Sequence, residues 1–189
     1  MDHNTLRVYT TPILELTDDE LSLLINCMQR RELKKGELLL AAGEVCRTFY
    51  LVEQGYLRTW YDKDGVQINL HFTFEGESTS NLKSFLHKQS SEVNIEAGED
   101  AVVSVFHVSS VAEKFGEYPN IMRFIRRLAL RLLVASEEYS DLFKVSTPTE
   151  RYRYIEKNNP RLLQRISLSQ MASYLGVTRE TLSRIRGKK

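Results

Sequence analysis

Near the end of the chain the sequence reads Ser167-Leu-Ser-Gln-Met-Ala-Ser-Tyr-Leu-Gly176-Val-Thr-Arg-Glu-Thr-Leu-Ser-Arg-Ile-Arg186. Leu168, Met171, Ala172 and Leu175 recur at helical spacing and form one apolar face. Gly176 tolerates the positive φ that ends a helix. Thr178 is placed to cap a second helix, whose Leu182 and Ile185 turn inward. Two short helices joined by a glycine turn predict a helix-turn-helix. Arg179, Glu180, Ser183 and Arg184 fall on the opposite face of the second helix, and Arg186 follows. An arginine can bond a guanine edge at two atoms, and a glutamate can accept from a cytosine amino group. Such helices present their first turn to the major groove, which suits Arg179 and Glu180. Ser169 and Gln170, opening the preceding helix, suit phosphate contacts.

The charge around this stretch agrees. Residues 144–189 hold eleven Lys/Arg and three acids, a net of +8, whereas the rest of the chain is −7. The split predicts two modules, the smaller one facing a polyanion. Val145-Ser146-Thr147-Pro148-Thr149 reads as the hinge between them, because Pro148 lacks a backbone donor and disfavours helix at Thr147. A short helix over about 149–158 follows, closed by Asn158-Asn159-Pro160.

Upstream of the hinge, Ile121, Ile125, Leu128, Leu132, Ala135, Tyr139 and Leu142 step by four and three in turn, an a/d seam lasting three heptads. A helix over about 120–143 would be roughly 36 Å long at ~1.5 Å per residue. The seam predicts a two-fold homodimer. Met122, Ala129 and Leu133 form a second stripe beside it, so one stripe can cover the chain's own domain while the other meets a partner. From about Leu33 to Val108 the pattern is different. Short β-branched and aromatic runs such as Phe49-Tyr50-Leu51-Val52, Leu57–Tyr61 and Val66–Phe72 alternate with glycine turns, which predicts an antiparallel barrel or sandwich. Before it, Thr17-Asp18-Asp19-Glu20 opens a short helix with a capping box.

The whole is 189 residues, 42% hydrophobic and 27% charged, which argues against disorder. No run is long and apolar enough to span a membrane, and the polar start does not read as a signal peptide, so a cytoplasmic location is expected. Cys27 and Cys46 are too few for a disulfide framework. There is no Gly-x-Ser-x-Gly, no phosphate loop and no metal-ligand spacing among the four histidines, so no catalytic residues, no metal and no enzyme activity are expected.

Taken together, these segments resemble the Crp/Fnr transcription regulators. The expected class is α+β. A double-stranded β-helix, or jelly-roll-like and cupin-like β-roll sensor, occupies residues 1–118; a dimerisation helix occupies 119–144; an all-α helix-turn-helix domain occupies 145–189. Thr178-Arg179-Glu180-Thr181-Leu182-Ser183-Arg184 looks like the catabolite activator's recognition helix. The resemblance implies that Arg179, Glu180 and Arg184 touch bases in a palindromic, TGTGA-like operator. It implies double-stranded DNA, a second copy of the chain and RNA polymerase as partners, and no membrane. Most members add a β-hairpin wing after this helix; here Gly187-Lys188-Lys189 follows, so backbone contacts are expected from other basic residues such as Arg151, Arg153 and Lys157.

In that family a Gly-Glu pair and a downstream Arg-Ser/Thr pair hold cyclic AMP. Gly76-Glu77-Ser78 resembles the first part, and Ser91-Glu92 aligns with the second. The arginine is missing, and Glu92 would meet the phosphate with like charge, which predicts no tight binding of cyclic AMP. Ser136 lies near the family's adenine contact on the long helix. Arg47, Arg58 and Lys83 are the candidates for a displaced cation. Two cysteines do not make an iron–sulfur site. His71 reads as a structural strand histidine rather than a haem ligand, and Cys46 as a packed thiol. No cofactor is therefore assigned, and a small-molecule effector of unknown identity stays open. So does a different class of function: a small-molecule-binding or protein-interaction module whose helix-turn-helix no longer reads DNA.

Overall fold

The computed structural model describes residues 1–107 and 118–187, so the expected strand end at Val108 and the basic Lys188 and Lys189 lie outside the described residues. Two short helices begin the chain. The first, α1 (His3–Thr10), was not expected from the sequence; Asp2 caps it by accepting the Thr5 N–H at 2.8 Å. The second, α2 (Asp18–Ile25), opens with the expected capping box, in which the Thr17 N–H donates to Glu20 at 2.9 Å and the Glu20 N–H to Thr17 at 3.3 Å.

Among the described residues eight strands follow: β1 (Met28–Leu33), β2 (Leu38–Leu40), β3 (Thr48–Gln54), β4 (Leu57–Lys63), β5 (Val66–Thr73), β6 (Ser78–Thr79), β7 (Asn94–Ala97) and β8 (Ala101–His107). They form two antiparallel four-stranded sheets, ordered β1-β8-β3-β6 and β2-β7-β4-β5. A helix, α3 (Leu82–His87), interrupts them between β6 and β7. The residues of β3 show how the roll is packed. Tyr50 and Val52 point between the sheets, towards Leu57, Ile95 and Val103. Phe49 and Leu51 point the other way, under α1, α2 and the long helix. Both faces are covered, which is why this strand is continuously apolar rather than alternating. Gly55 turns β3 into β4 with φ +81°, and a Cβ there would lie 2.7 Å from the Asp100 carbonyl oxygen, so no larger residue fits.

The long helix, α4 (Pro119–Val145), is slightly longer than expected. Its apolar stripe corrects one expectation. Ile121, Ile125 and Leu128 are buried in the chain's own core beside Phe49 and Phe106, and Leu132 packs against the same cluster. Tyr139 packs into the carboxy-terminal domain. Heptad spacing specifies an apolar stripe but not what covers it, and here the roll covers it. Ile121, Ile125 and Leu128 therefore have no surface left for a partner. The large apolar side chains that α4 leaves exposed are Leu130, Leu133 and Val134, each just over half accessible.

The carboxy-terminal domain contains α5 (Pro148–Asn158), α6 (Pro160–Arg165), α7 (Leu168–Tyr174) and α8 (Arg179–Gly187). Thr147 and Glu150 form a capping box on α5. Asn158-Asn159-Pro160 does more than close that helix: Pro160 begins α6, where its missing N–H costs nothing. Tyr152, Ile155, Leu162, Met171, Leu175 and Leu182 form this domain's core, and Tyr56, Phe72 and Phe74 of the roll join the same cluster.

Candidate functional site

The helix-turn-helix is built as its sequence indicated. Ser167 and Gln170 close a capping box at the start of α7. Gly176 has φ +66°, and the Val177 N–H returns to the Ala172 carbonyl at 3.0 Å, which ends that helix. Thr178 then accepts the Thr181 N–H at 3.2 Å and caps α8. Leu182 is fully buried and Ile185 packs against the same core, which fixes the rotation of α8. Arg179, Glu180, Ser183 and Arg184 are exposed on its outer side, as is Thr178; Arg186 is exposed too, at the edge of the helix beside Leu182. Among the described residues, none of these three arginines has a carboxylate within ion-pair distance. Glu180 is held below the usual carboxylate range by its own backbone N–H and the Thr178 hydroxyl, with Arg179 and Arg184 adding to this, so it stays an acceptor. Of the two α7 residues, Ser169 is exposed, whereas the Gln170 oxygen is already engaged in capping.

Three other arginines of this domain are engaged by the chain itself. Arg151 is buried; it donates to the Ser146 carbonyl at 2.8 Å and the Leu175 carbonyl at 3.0 Å, and its guanidinium lies 4.5 Å from the Phe143 ring centroid. It cannot reach a DNA backbone, which corrects the expectation made for it; Arg153 and Lys157 are exposed. Arg165 donates to both oxygens of Glu75, at 2.6 and 2.9 Å, and also to Glu99. Arg161 reaches Glu77 at 3.0 Å. Burial pushes the Glu75 carboxyl up, but Arg165 and the Gly55 N–H outweigh it and leave a net lowering. Two backbone contacts extend this clasp: the Asn69 N–H donates to Ser173 Oγ at 3.0 Å, and Ser173 Oγ donates to the Gln67 carbonyl at 3.0 Å. Phe72 meets Tyr174 edge-on, with ring centroids 5.4 Å apart.

The clasp displaces the expected effector site. Glu77 is engaged by Arg161 and the Phe74 N–H, and Gly76 forms an exposed turn; neither lines a cavity. Ser91 is buried, between Asn81 Nδ2 and the Val93 carbonyl. The cavity, of about 720 Å³, lies instead between the inner face of the roll, α3, α4 and the turn of the helix-turn-helix. Ser78, Glu92 and Ser136 line it, as do Ser80, Asn81, Tyr139, Ser173, Tyr174 and Gly176. Of the cation candidates, Arg58 is buried against Glu96 at 2.6 Å, Lys83 is paired with Glu92 at 3.0 Å, and Arg47 is exposed away from the lining. Above the turn, Tyr139 stacks on Tyr174 at 4.9 Å and donates to the Tyr174 carbonyl at 2.7 Å. No local pattern in the sequence signals the clasp, whose partners are 66 to 106 positions apart.

Residues 30–118 match the family model described as the cyclic nucleotide-binding domain. No curated protein sequence matches the chain. Among solved structures, FixK2 from Bradyrhizobium japonicum is 22% identical, with a TM-score of 0.71 over 85% of this chain and 83% of that one. The catabolite activator protein of Thermus thermophilus is 22% identical, with a TM-score of 0.58 over 93% and 84%. The c-di-GMP responsive global regulator CLP of Xanthomonas campestris is 16% identical, with a TM-score of 0.70 over 91% of both chains. At these identities the likeness is one of fold.

Proposed function

We propose, for a chain that carries a cyclic nucleotide-binding domain at residues 30–118 within the Crp/Fnr fold, that it is a dimeric, sequence-specific transcription regulator. One observation carries this reading. Arg179, Glu180, Ser183 and Arg184 stand exposed on one side of α8, anchored from behind by Leu182, and the arginines have no acidic partner among the described residues. Arg179, Glu180 and Arg184 read base edges; Ser169, Thr178 and Arg186 hold phosphates. The exposed Leu130, Leu133 and Val134 of α4 form the dimer contact in place of the buried seam. That contact sets two copies of α8 one DNA turn apart, roughly 34 Å, across a palindrome. The cavity is the effector site, and among the described residues its lining lacks the free cation a cyclic nucleotide phosphate needs. No helix among the described residues is long and apolar enough to cross a membrane, which agrees with a site of action on cytoplasmic DNA.

Selection of bound sites from random-sequence DNA tests the reading. A palindromic site supports it. Weak, sequence-blind binding overturns it in favour of an interaction module. Leu130→Asp with Leu133→Asp should shift sedimentation from dimer to monomer; an unchanged dimer would refute the assigned interface.

A further inference from the structure

Three features of the cavity decide what it can hold. The first is charge. Its lining has two formally charged side chains, Lys83 and Glu92, and these form an ion pair with both carboxylate oxygens 3.0 Å from the ammonium. They sit at the exposed rim, where such pairs are weak, but they leave that corner neutral. A phosphate entering the cavity would lose its water without gaining a partner cation, which is costly.

The second feature is His71. Thr59 pairs with His71 on β5 and with Ile95 on β7. Directly paired residues share a face of the sheet, and Ile95 is fully buried in the core between the sheets. His71 therefore stands on the inner face, and it lines the cavity. Its ring nitrogens make no hydrogen bond to any described residue. Desolvation holds the imidazole below the ordinary histidine range, with Glu77 pulling the other way, so the ring is neutral at pH 7. A neutral imidazole offers one donor and one acceptor.

The third feature is the wall. Ile95 and Leu132 line the cavity with apolar surface, and Tyr139 and Phe143 add aromatic rings.

We infer that the cavity takes an uncharged, largely apolar small molecule, oriented by hydrogen bonds to the His71 ring and packed against the aromatic side chains of α4. The inference rests on the effector role given to the cavity above, but its test is read without DNA, so either can fail alone. Two fluorescent probes share one skeleton: N-phenyl-1-naphthylamine is neutral, and 8-anilinonaphthalene-1-sulfonate is its anionic counterpart. At pH 7 the neutral probe should bind at least about tenfold more tightly, and Ser136→Trp, which fills the cavity, should abolish that binding. Equal or tighter binding of the sulfonate overturns the inference. So does an absence of neutral-probe binding, or binding that survives Ser136→Trp.

Acidification separates the role of His71 from mere shape. The charged group that acts on it is Glu77, from outside the cavity, and Lys83 and Glu92 line the same cavity. As pH falls through the depressed pKa of the folded ring, below the ordinary value of about 6.5, protonation of the ring should raise sulfonate affinity several-fold in the wild type and not in His71→Phe, with His71→Gln as a second variant should His71→Phe fail to fold. An identical pH response in the variants removes His71 from the site.

Discussion

The carboxy-terminal domain contains two sets of arginines with opposite fates. Arg179, Arg184 and Arg186 point outward with no acidic partner among the described residues. Arg151, Arg161 and Arg165 are engaged within the chain, by carbonyls and by Glu75, Glu77 and Glu99. The residue type is the same, and so is its contribution to the domain's charge. The first set is available to a polyanion; in the second, Arg161 and Arg165 hold the domain against the roll and Arg151 ties the hinge and the long helix to the helix-turn-helix. Net charge alone therefore overstates how much of this surface can face DNA. The side chain's destination decides, and that depends on which helix face carries it.

The comparison can be broken at several points. Arg151→Met should have the largest effect. It leaves the Ser146 and Leu175 carbonyls unpaired and removes the cation over Phe143, a loss of about 2–4 kcal/mol of stability. Urea denaturation measures it, and a loss below about 0.5 kcal/mol would mean that Arg151 is not structural. Arg165→Gln should cost less, about 1 kcal/mol, because Arg165, Glu75 and Glu99 are each partly solvated. Its signature is local: faster amide hydrogen exchange in α6 and α7, with the strands unaffected. Exchange that rises everywhere, or nowhere, would contradict the clasp. Arg186→Ala should leave folding intact and weaken binding to all DNA sequences alike, lowering the salt slope by about one. A change confined to one operator position would make Arg186 a base reader instead.

The smallest effect concerns His71. Its folded pKa is depressed, so the unfolded chain binds the proton more readily. Stability is thus complete above the ordinary histidine pKa of about 6.5 and declines as pH falls from there towards the folded value. Thermal unfolding across pH 7 to 5 should show this decline in the wild type and a shallower one in His71→Gln. Equal slopes would place His71 in water.

Much of this was legible in the sequence because it is local. The capping box at Thr17, the turn at Gly176 and the inward Leu182 all depend on residues within a few positions of one another. The strands of the roll were legible as a class for the same reason. The rest depends on distant pairings. The spacing of Ile121, Ile125 and Leu128 specifies an apolar stripe, but it does not distinguish a partner helix from the chain's own roll, which covers them. The Gly76-Glu77 pair resembled a ribose site, yet Arg161, 84 positions away, claims that glutamate. Helix α3, at 82–87, was hidden within a region of strand-like composition, and with it the position of the cavity wall. A lone strand histidine such as His71 reads as structural; the register of three strands places it on the inner face, where it lines the cavity.

The central claim is that the outward arginines read sequence. It is tested most directly by measuring wild type and Arg179→Ala on the selected operator and on operators changed at each base pair in turn. The expected result is a loss of about 1–3 kcal/mol on the intact site that disappears when one symmetric pair of base pairs is changed, since the variant no longer senses them. A loss equal on every sequence, non-specific DNA included, would show that Arg179 supplies charge alone and would contradict the account.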